Sequence, residues 1–303
     1  MEEKKVIAIV VTYNRKELLK ECIEALLDQD YKNCDVLVID NASTDGTQEF
    51  IKRYIDDKKI FYRNTGENLG GAGGFNYGLK EAYKIGCDFM WLMDDDCIVK
   101  KDSLTKFIEV DKELNGNYGF LSSKVLWKDD SICKMNIQKK NIIQKVDEWD
   151  IDKQKIIMAT FVSFFVKRDI VKKVGLPIKD FFIWADDLEY SRRISKMYKC
   201  YLINKSVVIH KSKNNIGSNI AVDTISNLKR YSYAYRNEMY IYKREGILGR
   251  FYFLLKVILH KVRIKKTDKS ENEKKEKVDV INKAVADGKI FNPKIEYVEA
   301  NNE

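Results

Sequence analysis

The first hundred residues alternate short apolar runs with longer amphipathic stretches. Residues 6–11 (VIAIVV) are continuously apolar and mostly β-branched, as in a strand buried on both faces. Over 16–28, Leu18, Leu19, Cys22, Ile23, Ala25, Leu26 and Leu27 recur at helical spacing. Residues 36–39 (VLVI) predict a second buried strand ending at Asp40, after which Ser43 or Asp45 caps a helix reaching about residue 55. A short strand over 60–63, a glycine cluster, a helix ending near residue 85 and a strand over 89–93 (FMWLM) complete the series. Four strands alternating with helices predict a parallel, doubly wound α/β sheet. Beyond residue 100 the spacing predicts a helix at 103–114, strands at 119–127 and 155–167 with a polar excursion between them, a helix at 186–197 and a strand at 201–210. From about residue 227 the chain is tyrosine-rich and basic, and 265–277 is mostly charge.

In such a sheet, ligands bind beyond the carboxyl ends of the strands. The polar residues sit at those ends: Thr12, Tyr13 and Asn14, then Asp40 and Asn41, then Asn68 with its glycines, then Asp94, Asp95 and Asp96. Three consecutive carboxylates repel one another unless they share a cation. Aspartates at i and i+2 can project to one side, which suits a hard divalent ion and a diphosphate. The segment 66–78 (GENLGGAGGFNYG) holds six of the 15 glycines but matches neither the dinucleotide nor the Walker fingerprint. Its glycines permit close backbone approach, and a helix N-terminus offers N–H groups to an anion. Asp186 and Asp187 open a helix behind the aromatic run Phe181-Phe182-Ile183-Trp184; a carboxylate there can serve as a general base. His210 ends an apolar strand and is the natural imidazole ligand if the aspartates hold a metal.

Charge divides the chain. The net charge is +9 over 303 residues. Residues 1–227 carry 37 basic and 35 acidic residues, whereas 229–269 carry 12 and 3, an asymmetry that suggests a polyanionic partner. The six cysteines form no C-x-x-C pair, as expected of reduced thiols in the cytoplasm rather than a zinc site. No apolar run approaches the ~20 residues of a membrane span.

Together VVTYNR, VIDNASTDGT, NLGGAGGF, WLMDDD, WADDLEYSRR and the strand-ending histidine resemble the family 2, GT-A-fold, inverting glycosyltransferases over roughly residues 5–240. NLGGAGGF followed by the aspartate triplet, and the later RYSYAYRNEMYIY, look most like the galactofuranosyltransferase and rhamnosyltransferase branch. The resemblance implies a Rossmann-like, mostly parallel sheet with helices on both faces. It divides the chain into a catalytic domain over 1–227, with a nucleotide-binding half (1–100) and an acceptor half (101–227), and a helical, basic extension over 228–303. Asp94, Asp96 and His210 would hold Mn2+ or Mg2+. Thr12, Tyr13, Asn14, Asp40, Asn41, Asn68, Gly70, Gly71 and Asp95 would hold the nucleotide sugar, UDP-galactofuranose or dTDP-rhamnose. Trp184 and Asp186 would position the acceptor, and Asp187 would be the base. A cell-surface glycan or lipid-linked acceptor fits this family.

Residues 246–266 mix apolar runs with Arg250, Lys256, Lys261, Arg263, Lys265 and Lys266, which suits a helix lying on an anionic membrane, on the cytoplasmic face of the plasma membrane. The competing arrangement packs 251–259 onto the catalytic domain. The alternatives of another class are a nucleic-acid-binding protein using the basic tail and an NAD-type oxidoreductase; the glycine spacing opposes the second. No nucleic-acid partner is expected.

Overall fold

A computed structural model describes residues 3–298. The run 6–11 becomes β1 (Val6–Thr12), whose side chains alternate between two apolar layers. Val6, Ala8 and Val10 pack with Leu19, Cys22 and Leu26 of α1 (Lys16–Leu27), and Ile7, Ile9 and Val11 face the other layer. β2 (Cys34–Asp40) leads through the short helices α2 (Thr47–Phe50) and α3 (Lys52–Asp56) to β3 (Ile60–Asn64). The expected single helix over this stretch is thus broken at Ile51.

α4 (Gly70–Ile85) covers the second face. It starts earlier than the glycine pattern suggests, so five of the six clustered glycines are helical rather than looped. Packing explains this: a Cβ on Gly74 would lie 2.6 Å from Val11 Cγ1, so the bare helix surface lets α4 sit directly on β1.

β4 (Phe89–Asp94) and β5 (Cys97–Val99) flank the aspartate triplet. α5 (Ser103–Glu113) and β6 (Phe120–Leu126) follow. The apolar stretch 155–167 is not one strand. β7 (Lys153–Ile156) pairs with the later β9, while β8 (Phe164–Lys167) lies between β4 and β6. The chain turns between them, with Ser163 at φ 60°; a mostly apolar run carries no periodic signal of that turn. α6 (Arg168–Val174), α7 (Asp186–Ser195) and β9 (Cys200–His210) complete the body.

Among the described residues the strand order is β3-β2-β1-β4-β8-β6-β9-β5. β3, β2, β1 and β4 are mutually parallel, as is β6 with β9, whereas β8 and β5 pair antiparallel. Residues 127–152 fold back over the second half of the sheet: Gln138 Nε2 donates to Ser122 Oγ at 3.0 Å and to the Ser123 carbonyl at 2.8 Å.

The C-terminal residues form three helices, α8 (Leu228–Lys243), α9 (Gly246–Lys265) and α10 (Glu271–Ile290). They share an apolar cluster that includes Tyr235, Phe253, Val257 and Ile281. The chain then returns to the body: Phe291 packs against Phe181, and the Leu176 N–H donates to the Glu296 carbonyl at 2.7 Å. No described helix is long and apolar enough to cross a membrane.

Candidate active site

Strand ends build the site. β4 delivers Asp94 at its carboxyl end, and β5 begins two residues after Asp95. Antiparallel pairing sets Cys97 opposite His210, so the last residue of β9 lies against the triplet. One ligand atom each from Asp94, Asp96 and His210 lie within 4.8 Å of one another.

The surroundings orient this group. His210 Nδ1 is 2.7 Å from Asn136 Oδ1, and the Asn136 amide is oriented by donating to Thr160 Oγ1 at 3.0 Å. Nδ1 therefore carries the proton toward Asn136, and Nε2 faces the carboxylates. Asp96 Oδ1 is buried, with Nε2 3.0 Å away as its close neighbour. Two carboxylates and an imidazole form a donor set that fits a hard divalent cation.

Burial penalises every charge here. It raises Asp94, with Asp96 adding to the rise, and lifts Asp95 to about 6. Asp96 goes the other way, because His210 and Arg15 outweigh its burial and hold it ionised. Burial opposes the charge on His210, but Asp96, Cys133 and Asp94 overcome it and raise the imidazole to about 10. A metal ion and a proton thus compete for the same nitrogen.

Arg15 was given no role by its sequence context. Its Nη1 donates to Asp95 Oδ1 at 3.1 Å and Asp96 Oδ2 at 2.7 Å, and Thr12 Oγ1 donates to Asp95 Oδ2 at 2.7 Å. Its cation offsets one charge of the triplet. The available signal was its place, three residues past the end of β1.

Across the cavity lies the segment before α7. Phe182, Trp184 and Ala185 adopt φ 62°, 66° and 66°. Gly70, itself at φ 70°, allows this loop to sit against α4, since a Cβ there would collide with the Phe182 carbonyl. The loop is clamped from α8: Asn237 Nδ2 lies 3.0, 3.2 and 2.9 Å from the carbonyls of Phe181, Ile183 and Trp184. Arg230 stacks over Trp184 at 5.0 Å. Asp187 Oδ1 accepts from the Leu188 N–H at 2.7 Å. Burial raises both Asp186 and Asp187; repulsion from Asp187 adds to the first, and the charge of Asp94 adds to the second.

One cavity of about 490 Å³ gathers Thr12, Tyr13, Asn41, Asn68, Gly70, Gly71, Asp94, Asp95, Asp96, Trp184, Asp186, Asp187 and His210. Asn14 and Asp40 do not line it. Asn14 Oδ1 accepts from the Thr44 N–H at 2.7 Å, and Asp40 accepts from the Ser43 N–H at 2.8 Å and the Tyr62 hydroxyl at 2.7 Å. Asn41 Nδ2 donates to the Gly70 carbonyl at 3.0 Å, fastening α4 to the end of β2. Ser212 and Arg230 also line the cavity, and neither stood out in the sequence.

Comparison with known proteins agrees with this architecture. Solved glycosyltransferases share the fold at TM-scores above 0.5. A mannosyltransferase from Pyrobaculum calidifontis, solved with GDP-Man and Mn2+, aligns at TM-score 0.56 and 16% identity over 95% of this chain and 74% of that one. TarS (residues 1–349) of S. aureus aligns at 0.54 and 15% over 92% and 71%. These likenesses place the fold among GT-A glycosyltransferases. The galactofuranosyltransferase GlfT1 of Mycolicibacterium smegmatis is 38% identical over 91 residues, 30% of each chain. A GalNAc(5)-diNAcBac-PP-undecaprenol β-1,3-glucosyltransferase of Campylobacter jejuni is 26% identical over 224 residues, 69% of each. The abequosyltransferase RfbV of Salmonella typhimurium is 36% identical over 99 residues; this match and that to GlfT1 span less than a third of either relative. The model of glycosyl transferase family 2 matches residues 7–175, more than half of the sequence, and the chain belongs to that family.

Proposed function

We propose that the protein is a metal-dependent, inverting glycosyltransferase that moves a sugar, galactofuranose or rhamnose, from a nucleotide diphosphate to a hydroxyl of a cell-surface glycan or lipid-linked acceptor. The observation that carries this is the convergence of the Asp94–Asp96–His210 group and Asp187 on one cavity. Mn2+ or Mg2+ held by those three residues supplies charge neutralisation for a departing diphosphate when bound. Arg15 and the N-terminus of α4 add positive potential on the same side. Thr12, Tyr13 and Asn41 face the nucleotide, with Asp40 and Asn14 bracing their loops. Asp187 takes the proton of the acceptor hydroxyl as that oxygen attacks the anomeric carbon from the face opposite the leaving group. The family resemblance, in which the second aspartate of the pair is the base, supports this choice over Asp186. A single displacement inverts the configuration and needs no enzyme nucleophile. Trp184 and Asp186 then shape the acceptor subsite.

In this reading residues 1–227 carry the chemistry and 228–303 hold the acceptor loop in shape, and the enzyme works at the cytoplasmic face of the plasma membrane. The relatives named for galactofuranose transfer and for an undecaprenol-linked acceptor support the donor and acceptor classes. The test is nucleotide release with Mn2+ or Mg2+ across a donor panel headed by UDP-galactofuranose and dTDP-rhamnose. Release with neither sugar, but with a hexopyranose donor, would replace the donor and keep the reaction; release with no donor would overturn the proposal.

A further inference from the structure

α9 has two apolar faces and only one of them is covered. Phe253, Val257 and Ile264 are buried against α8 and α10. On the opposite side Ile247, Phe251, Leu254, Leu255, Ile258 and Leu259 are between 48% and 86% exposed. At 3.6 residues per turn these six fall within an arc of roughly 140° and run along about 18 Å of helix. A contiguous apolar strip of that size on a folded chain marks an interaction surface.

Charge identifies the occupant. The 20 residues of α9 include no acidic residue. Arg250 and Lys261 border the strip on one side, Arg263 on the other, and Lys265 and Lys266 lie at its C-terminal end. Two acids of the adjoining helix and turn are engaged elsewhere: Glu238 binds Lys256 at 2.6 Å, and Glu245 binds Arg192 at 2.7 Å. A second copy seated on this strip would bring like charges together, whereas anionic headgroups complement them. The helix is too polar to cross a bilayer. An apolar strip with cationic borders suits a helix lying in the plane of the membrane interface.

We infer that the exposed face of α9 docks this protein on an anionic lipid surface, with Phe251, Leu254 and Ile258 entering the headgroup–acyl boundary and the flanking cations meeting phosphates. This deepens the membrane-borne acceptor of the proposed function, and it is measured without donor or acceptor, so the two fail separately.

The test uses the full chain, because α10 packs on α8, the returning segment packs on the body, and a truncation at 246 would remove both. Co-sedimentation is read with vesicles of phosphatidylcholine alone and of phosphatidylcholine mixed with phosphatidylglycerol. The intact protein should bind the mixed vesicles and lose binding as salt rises. Leu254→Glu/Ile258→Glu should weaken binding at least about tenfold with an unchanged melting temperature. Arg263→Glu/Lys265→Glu should weaken it about fivefold or more per charge at low salt, and only on the anionic vesicles. No binding by the intact chain, or binding that survives Leu254→Glu/Ile258→Glu, overturns the inference. So does a dimer in solution that this variant dissolves while no vesicle is bound.

Discussion

Asn237 offers the sharpest test of how the site is held. Three residues of the loop before α7 sit at positive φ, and each such residue costs about 1–3 kcal/mol, so the loop stores roughly 3–9 kcal/mol. Asn237 opposes that strain with one fully buried amide spread over three carbonyls. Asn237→Ala removes three bonds worth about 1 kcal/mol each, a loss of roughly 3 kcal/mol, while the Phe181 carbonyl keeps the Ile183 N–H at 2.7 Å. That is comparable with the strain, so the loop should relax from its left-handed conformation. At about 2.1 cal/mol/K per residue, the melting temperature should fall by roughly 5 °C. Asp186 directly follows Ala185, so relaxation displaces the carboxylate pair. A shift of about 1 Å at a reacting group costs on the order of 10²-fold in rate. Steady-state transfer should therefore show kcat down about a hundredfold, with donor KM and metal dependence retained, since Asp94 and His210 end β4 and β9 and Asp96 stands in the turn from β4 to β5. A variant that melts lower but keeps kcat within about threefold of wild type would show that the loop holds its shape without Asn237.

The remaining predictions concern the reacting groups. Asp94→Ala, Asp96→Ala and His210→Ala should each abolish or sharply reduce nucleotide release, and EDTA should silence the wild type; full turnover in chelator would sink the metal assignment. Asn136→Ala frees His210 to turn, so the Mn2+ concentration for half-maximal activity should rise about 10–100-fold, and excess metal should restore the rate. Asp187→Asn should cut transfer by at least about 10²-fold with donor affinity kept, and more than Asp186→Asn does. Burial and Asp94 raise Asp187 to about 7. Below that pH it is protonated and cannot accept a proton, so kcat should rise with pH through neutrality and then level off. Because a cation on Asp94 removes part of the cause, saturating metal should move that limb to lower pH; an unmoved limb would separate the titrating group from the metal site.

Much of this was readable from order along the chain. Buried parallel strands need unbroken apolar runs, so 6–11, 36–39 and 89–93 announced themselves, and the polar residues after each marked one edge of the sheet. The aspartate triplet, the Asp186–Asp187 pair and His210 were legible because charge directly beside a buried strand is costly unless it has work to do. The strand break within 155–167 was not, since a mostly apolar segment has no period to read. Nor was the role of Asn136, whose polar surroundings resemble a surface loop until folding buries them against His210. Arg15 and Asn237 are ordinary residues in sequence. They matter because β1 ends beside the triplet and because α8 crosses the aromatic loop, and such long-range meetings leave no trace in local composition. The same holds for α9. Its mixture of apolar and basic residues fitted either packing or a membrane, and only the tertiary arrangement, by burying Phe253 and Val257 while leaving Phe251, Leu254 and Ile258 exposed, decided which face packs and which stays open.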